Sequence, residues 1–423
     1  MQKLVVHGGA ALSGSIKISG SKNASLPILA ASLLTDKEVI IERVPDVSDI
    51  HYMLSILQEL GASVERFSGV VKIHAKDIKP EAPYEIVRKM RASICVMGPL
   101  VSRLGKASVS IPGGCVIGDR PVDLHLKGLA AIGAEISHEG GNMFLEAPNG
   151  LTGREVDLRG KNGPTVLGTD NLMMAAVLAK GTTIIQGAAC EPEVEDLADF
   201  LNKLGAKITG AGTPRIEIEG VDSLGGTRHT VIADRIEAGT YAVAAAMAGE
   251  SPITLKRCCP AHMRTTIDKL CEAGHGVQIK GEDLVITRGE KLRGCNIDTS
   301  PHPGFPTDMQ AQFTAMFAVS PGLSFVRDRI FPNRFMHCSE LSRMNADIEL
   351  QDGQAIVNGV KELSGAPVMA SDLRASAALV LAALTAKGTT EISRLYHIDR
   401  GYEHIDEKLR DLGAKIERVE DRG

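Results

Sequence analysis

Residues 202–209 read NKLGAKIT: the end of an apolar helix, a Gly-Ala pair and the start of a short strand. The phrase returns as QELGASVE around Gly61, AAIGAEIS around Gly133 and RDLGAKIE around Gly413. Degenerate copies are CEAGHGVQ at Gly274 and SRMNADIE at Asn345. Successive spacings are 72, 72, 69, 71 and 68 residues. Gly and Asn are the residues that tolerate a left-handed helix cap, so Asn345 belongs to the series. The chain is therefore a repeat protein with six copies of one unit.

Two further phrases keep the same period. An Ala-rich helix runs into a β-rich segment six times: LPILAASLLTDKEVIIERV, CVMGPLVSRLGKASVSI, LMMAAVLAKGTTIIQGA, YAVAAAMAGESPITLKR, QFTAMFAVSPGLSFVRD and AALVLAALTAKGTTEIS. Leu-x-Gly precedes a strand at Gly14, Gly153, Gly226, Gly294 and Gly365, and only the second copy lacks it. The unit reads strand, Gly turn, strand, polar loop, Ala-rich helix, strand, second helix, strand. That is too long for a solenoid repeat and suits a βαβ-containing unit. A helix that is apolar all round is buried. Three units around a shared helical core would make one α/β domain, and six units two. The leading strand pair is expected to complete the last unit as well as open the first.

Composition narrows the function. Hydrophobic residues at 43% and charged residues at 23% are ordinary for a soluble globular chain. Aromatics are only 3%, with no Trp, which leaves few platforms for stacking single-stranded bases. Forty-seven basic against 52 acidic residues give a charge of -5, which speaks against a nucleic-acid binder or a clamp around nucleic acid. No apolar stretch is long enough to span a bilayer, and the N-terminus lacks the apolar core of a signal peptide. The chain reads as cytoplasmic, without membrane insertion. None of the eight cysteines forms a CxxC pair, so no metal site is expected, and Cys95, Cys190 and Cys271 read as packing residues.

Polar residues gather in the loop just before each Ala-rich helix: Lys22-Asn23, Arg91, Asn162 to Thr165, Asp234-Arg235, Asp308 and Asp372-Arg374. Such residues can be plain N-caps. Helix N-termini also present free N–H groups and a positive dipole end, so equivalent loops on one face suit a small anion. Asp308 in SPHPGFPTDMQAQF follows three prolines and is either a cap or a rigidly held proton acceptor. Arg374 and Arg400 follow Asp372 and Asp399 closely, so they are either local salt bridges of little worth or, as a set with Lys22, Arg91 and Arg120, a ring of cations around one anion. The most unusual stretch is Pro112-Gly113-Gly114-Cys115-Val116-Ile117-Gly118-Asp119-Arg120-Pro121. A thiol in so turn-rich a loop is expected to be accessible, and Arg120 would favour its thiolate.

GSKNASLPILAASLL, PGGCVIGDRPVDLHLKGL, PHPGFPTDMQAQF, NRFMH with ELSRM, SDLRASAALVLA and YHIDRGYEHIDEKLRDLGAKIERV together resemble the UDP-N-acetylglucosamine 1-carboxyvinyltransferase family. The resemblance covers essentially the whole chain. The Cys115 loop and the PTDMQAQF segment separate it from the sister enzymes of the shikimate pathway. It implies a two-domain inside-out α/β barrel: residues 22–232 as one domain, residues 1–21 with 233–423 as the other, and an active site in the cleft between them. It implies transfer of the enolpyruvyl group of phosphoenolpyruvate to the 3′-hydroxyl of UDP-N-acetylglucosamine, with no metal or organic cofactor. Cys115 would deliver a proton, form an adduct with phosphoenolpyruvate and be alkylated by the epoxide fosfomycin. Asp308 would accept the hydroxyl proton. Lys22, Arg120 and Arg400 would hold the phosphate, with Arg374 near the carboxylate. Asn23, Arg91, Arg334 and the segment Arg120, Pro121, Val122, Asp123 and Leu124 would complete the site. Thr165 and Val166 would meet the diphosphate, and Ile330 and Phe331 the uridine. The family usually has Ser-Val-Gly-Ala-Thr where this chain has Thr165-Val166-Leu167-Gly168-Thr169, and an acidic residue where it has Pro332. A silent paralogue would be expected to lose Cys115, Asp308 or Lys22, and all three are present.

Overall fold

The computed structural model describes residues 2–111, 122–161 and 163–421. They divide into two compact units, and the chain crosses from one to the other between Ser19 and Gly20 and again between Ile232 and Ala233.

Each unit is built around three central helices, most of them rich in small apolar residues. In the residue 20–232 unit these are Lys22–Ala31, Met97–Leu104 and Val166–Ala176; in the other they are Arg235–Ala248, Gln310–Phe317 and Leu373–Thr385. All fourteen residues of Arg235–Ala248 and all eight of Gln310–Phe317 are buried. Small Ala side chains let helices approach closely, and in the second unit each central helix packs on both of the others. The remaining strands form sheets outside this helical centre, which buries apolar surface in one continuous core per unit. Among the described residues the sheets are six separate open ones. The inside-out layering is present, but no sheet closes into a barrel.

The sheets repeat one plan. A central strand pairs antiparallel with a β-hairpin on one side and parallel with an edge strand on the other, as Thr182–Gln186 does with Arg215–Glu219 and Glu155–Asp157. The Leu-x-Gly glycines belong to this parallel edge. A Cβ on Gly226 or Gly365 would lie 2.4 Å from the carbonyl oxygen of Glu38 or Thr389, so no larger residue lets the edge approach. The second copy lacks the motif and has a three-stranded sheet, its edge reduced to one bridge, Glu81 with Ser108. The helix-end positions are left-handed in all six copies, from Gly61 (φ 103°) to Asn345 (φ 67°) and Gly413 (φ 106°).

Strand exchange closes each ring of three copies. Gln2–His7 sits between Thr389–Ser393 and Lys415–Glu420, completing the sixth sheet. Leu12–Lys17 runs parallel to Gly249–Lys256 and opens the fourth sheet, not the first as expected. The first sheet is opened by Thr227–Thr230 on Glu38–Glu42, because the strand before copy one must come from the end of copy three.

Buried carboxylates grip both crossings. Glu237 accepts from the Ser19 amide (2.7 Å) and from Lys408 Nζ (2.6 Å). Asp196 accepts from the Ile232 amide (3.2 Å) and pairs with the buried His229 (2.9 Å). Cys95 is buried as expected, and Cys190 half-buried, but Cys271 is exposed on the outer side of helix Arg264–Glu272 and is not a packing residue. Among the described residues no helix is long and apolar enough to cross a membrane.

Candidate active site

Among the described residues, Lys22-Asn23, Thr165, Asp234-Arg235 and Asp372-Arg374 stand at N-terminal ends of central helices, while Arg91 and Asp308 lie in 3-10 turns that lead into theirs. Thr165 caps Val166–Ala176 by accepting from the Gly168 amide (3.2 Å). Asp234 caps Arg235–Ala248, accepting from the Ile236 and Glu237 amides (both 2.9 Å). Asp372 caps Leu373–Thr385 through the amides of Arg374 (2.9 Å) and Ala375 (3.2 Å). For these three residues the cap reading holds.

Asp308 is different. It lies in the 3-10 turn Thr307–Met309 ahead of helix Gln310–Phe317, and the N-cap positions there belong to Pro306 and Met309. Its Oδ1 accepts from Arg334 Nη1 (2.7 Å), and its Oδ2 accepts from Arg374 Nε (3.2 Å) and Nη2 (3.1 Å). Both arginines are buried, Arg374 to 1% exposure, while the Asp308 side chain keeps 28% of its surface open. Burial works against the Arg334 charge, but Asp308 and Asp372 outweigh it and hold the guanidinium above its usual pKa. Arg374 is also held up, by Tyr402, Asp308 and Asp234, against the cost of its burial.

The backbone beneath Asp308 is tied down as well. Gln312 Nε2 donates to the Asp308 carbonyl (2.8 Å) and lies within 3.3 Å of the Tyr402 hydroxyl. The Tyr402 ring in turn lies under Arg374, 5.3 Å from the guanidinium carbon. Arg334 Nη1 also donates to Thr307 Oγ1 (3.1 Å). The Arg374 guanidinium takes Asp308 and not Asp372, which serves the helix backbone, and Asp399 pairs with Arg418 (2.9 Å). Arg400 is half-buried in the turn that follows Leu395–His397. Ile330 is half-buried in the turn ahead of Arg334.

In the residue 20–232 unit, Lys22 opens its helix behind the N-cap Ser21, and its Nζ lies 3.2 Å from Oδ2 of the buried Asp49. Asn23 and Arg91 are half-buried at the starts of helix Lys22–Ala31 and the 3-10 turn Arg91–Val96. Val122 and Leu124 are half-buried and Asp123 exposed at the start of helix Asp123–Ala131. Val166 is half-buried. Cys115, Arg120, Pro121 and Asn162 lie outside the described residues. Sequence reading missed Asp49, Gln312 and Tyr402. Only Gln312 carried a local signal, being one helical turn beyond Asp308.

The sequence matches the family model for EPSP synthase (3-phosphoshikimate 1-carboxyvinyltransferase) over residues 6–409. UDP-N-acetylglucosamine 1-carboxyvinyltransferase of Akkermansia muciniphila is 63% identical over 423 residues, with 100% of this chain and 99% of that protein covered. The enzyme of the same name from Methylacidiphilum infernorum is 57% identical over 419 residues, covering 99% of each. The chain belongs to the UDP-N-acetylglucosamine 1-carboxyvinyltransferase family. Its fold matches the enolpyruvyl transferase NikO from Streptomyces tendae, with a TM-score of 0.89 at 26% identity over 99% of both chains. EPSP synthase of Acinetobacter baumannii shares the fold at 19% identity, with a TM-score of 0.77 over 99% of this chain and 100% of that one.

One departure from the usual 1-carboxyvinyltransferase pattern has a steric explanation. A Cβ on Gly168 would lie 2.4 Å from Thr165 Cγ2. Serine has no such methyl, so Thr165 in place of Ser adds the closest obstacle, although Thr165 Oγ1, which serine also carries, would lie 2.8 Å away. Leu167 turns its half-buried side chain onto the core of its unit.

Proposed function

We propose that this member of the family transfers the enolpyruvyl group of phosphoenolpyruvate to the 3′-hydroxyl of UDP-N-acetylglucosamine, in the cytoplasm, as the first committed step of peptidoglycan synthesis. The full-length 63% identity to a relative of that name carries the reading. The sugar oxygen attacks C2 while C3 takes a proton, giving a tetrahedral phosphate adduct. C3 then loses a proton, the C2–phosphate bond breaks, and inorganic phosphate leaves the enol ether.

Each step has a candidate group. The Cys115 thiol delivers the proton to C3. Asp308 accepts the hydroxyl proton, and two buried guanidinium groups hold its carboxylate in place, as proton transfer requires. Lys22, Arg120 and Arg400 bind the phosphate, and Arg374 faces the carboxylate. Fixed cations stabilise charge on the departing phosphate without reorganising. Asn23, Arg91, Arg334, Thr165, Val166, Ile330 and the 120–124 segment contact the nucleotide sugar. We further propose that the Lys22 and Asp308 groups act on one bound pair of substrates.

Phosphate release from phosphoenolpyruvate tests this reading. It should depend on UDP-N-acetylglucosamine. Equal release with shikimate-3-phosphate, or none with the nucleotide sugar, would overturn it.

A further inference from the structure

Two polar clusters meet at the hydroxyl of Thr307. The first is the Asp308–Arg334–Arg374 group. The second centres on Asp328, which is 1% exposed. Asp328 Oδ1 accepts from the amides of Ile330 (3.0 Å) and Phe331 (2.9 Å) and from Thr299 Oγ1 (2.8 Å). Thr299 Oγ1 in turn accepts from the Arg329 amide (2.9 Å), so the whole Arg329–Phe331 turn hangs on this one carboxylate. Asp328 Oδ2 accepts from Thr307 Oγ1 at 2.5 Å.

A hydroxyl has one hydrogen. Thr307 gives its hydrogen to Asp328, so its lone pairs face Arg334 Nη1, which donates to it at 3.1 Å and to Asp308 at 2.7 Å. The polarity of the link is fixed from one end to the other: carboxylate, hydroxyl, guanidinium, carboxylate. We propose that Thr307 and Asp328 are positioning residues that align Arg334, and through it Asp308, for proton acceptance. The inference rests on the proposed function. It adds that the turn bearing Ile330 and the proton acceptor are held by a common anchor.

Thr307→Val keeps the shape and removes the hydroxyl. With both substrates saturating, turnover should fall about 10-fold or more, the scale of a small misalignment at a reacting group. The KM for the nucleotide sugar should stay within about threefold, because ground-state binding is not the role assigned. Thr307→Ser should restore turnover to within about threefold of wild type, since it restores the hydroxyl. Asp328→Asn is the second variant and covers a poorly folding Thr307→Val. Its Oδ1 can still hold the turn, but its amide donates toward Thr307 and reverses the polarity of the link, so turnover should fall similarly. Wild-type turnover in both variants, a lower melting temperature with unchanged turnover, or a Thr307→Val defect that serine does not rescue would overturn the proposal. A wild-type protein with no nucleotide-sugar-dependent phosphate release would instead overturn the functional reading, and the positioning role with it.

Discussion

Arg374 gives its guanidinium to Asp308, 66 residues away in the chain, and not to Asp372, two residues before it. The two partners stand at the heads of neighbouring central helices in successive copies of the repeat. Repetition therefore places side chains from distant segments at one point, where Asp372 is already occupied with the helix backbone.

Asp308→Asn removes the capacity to accept a proton. Turnover should fall on the order of 10²-fold or more, the usual scale for general acid–base catalysis. Asp308 does not occupy the N-cap position of its turn or helix, so capping is not what the variant probes. It does leave Arg334 and Arg374 buried without the carboxylate they share, so melting temperature should fall as well. Affinity for UDP-N-acetylglucosamine, measured by calorimetry, should stay near wild type. Undiminished turnover would leave the proton acceptor unassigned.

Gly168→Ala would normally favour a helix by up to about 1 kcal/mol. Here the new methyl meets Thr165 Cγ2, and overpacking of this kind costs about 1–3 kcal/mol. The single variant should be destabilised, and Thr165→Ser with Gly168→Ala should recover part of the loss, since the closest contact is removed and the hydroxyl contact at 2.8 Å remains. Denaturant unfolding of the wild type, both single variants and the double variant measures the coupling. Additive effects would show that the two positions do not compete for space.

Cys115 should react with fosfomycin before any other thiol. Burial pushes Cys258, Cys295 and Cys338 up to about 12, and Cys95 well above its ordinary value. Partial burial and Asp268 also raise the exposed Cys271. A thiol is nucleophilic only as the thiolate, so these are poor competitors at neutral pH. Cys115→Asp should resist the drug and keep activity. Mass spectrometry finding Cys271 modified first would contradict the assignment.

His275 gives a pH prediction. Burial, with Arg288 nearby, pulls its pKa down to about 4, below the ordinary 6.5. The unfolded chain then binds the extra proton as pH falls from about 6.5 to 4, so stability declines through that window by up to about 3 kcal/mol. His275→Gln should flatten this part of a plot of unfolding free energy against pH. An unchanged slope would show that other groups cause it.

The fold was legible because its constraints are local. A left-handed helix end needs Gly or Asn, and a close parallel edge needs Gly, so Gly61 to Gly413 and Gly153 to Gly365 announce themselves at fixed spacing. The second copy, which lacks Leu-x-Gly, is also the one whose sheet edge is reduced. The site was only partly legible. Asp308, Arg334 and Arg374 stood out by motif, but their contact joins separate copies, and spacing favoured the nearer Asp372. Asp49 and Asp328 carry no local signal, since each is marked only by what the fold brings to it. The destination of the Leu12–Lys17 strand was misread because a linear repeat does not reveal that three copies close into a ring.

The two leading strands have partners far along the chain: Leu12 pairs with Gly249, and Leu4 with Ile392 and Arg418. The residue 20–232 unit, by contrast, draws every sheet from its own segment. During synthesis at about 5–20 residues per second, Leu12–Lys17 must wait roughly 10–50 s for its partner, while the unit made after it can already be folded. The ribosome thus delivers a finished unit tethered to two unpaired strands. Those strands are the part of the nascent protein most open to capture by a chaperone, or by the same strands of another copy.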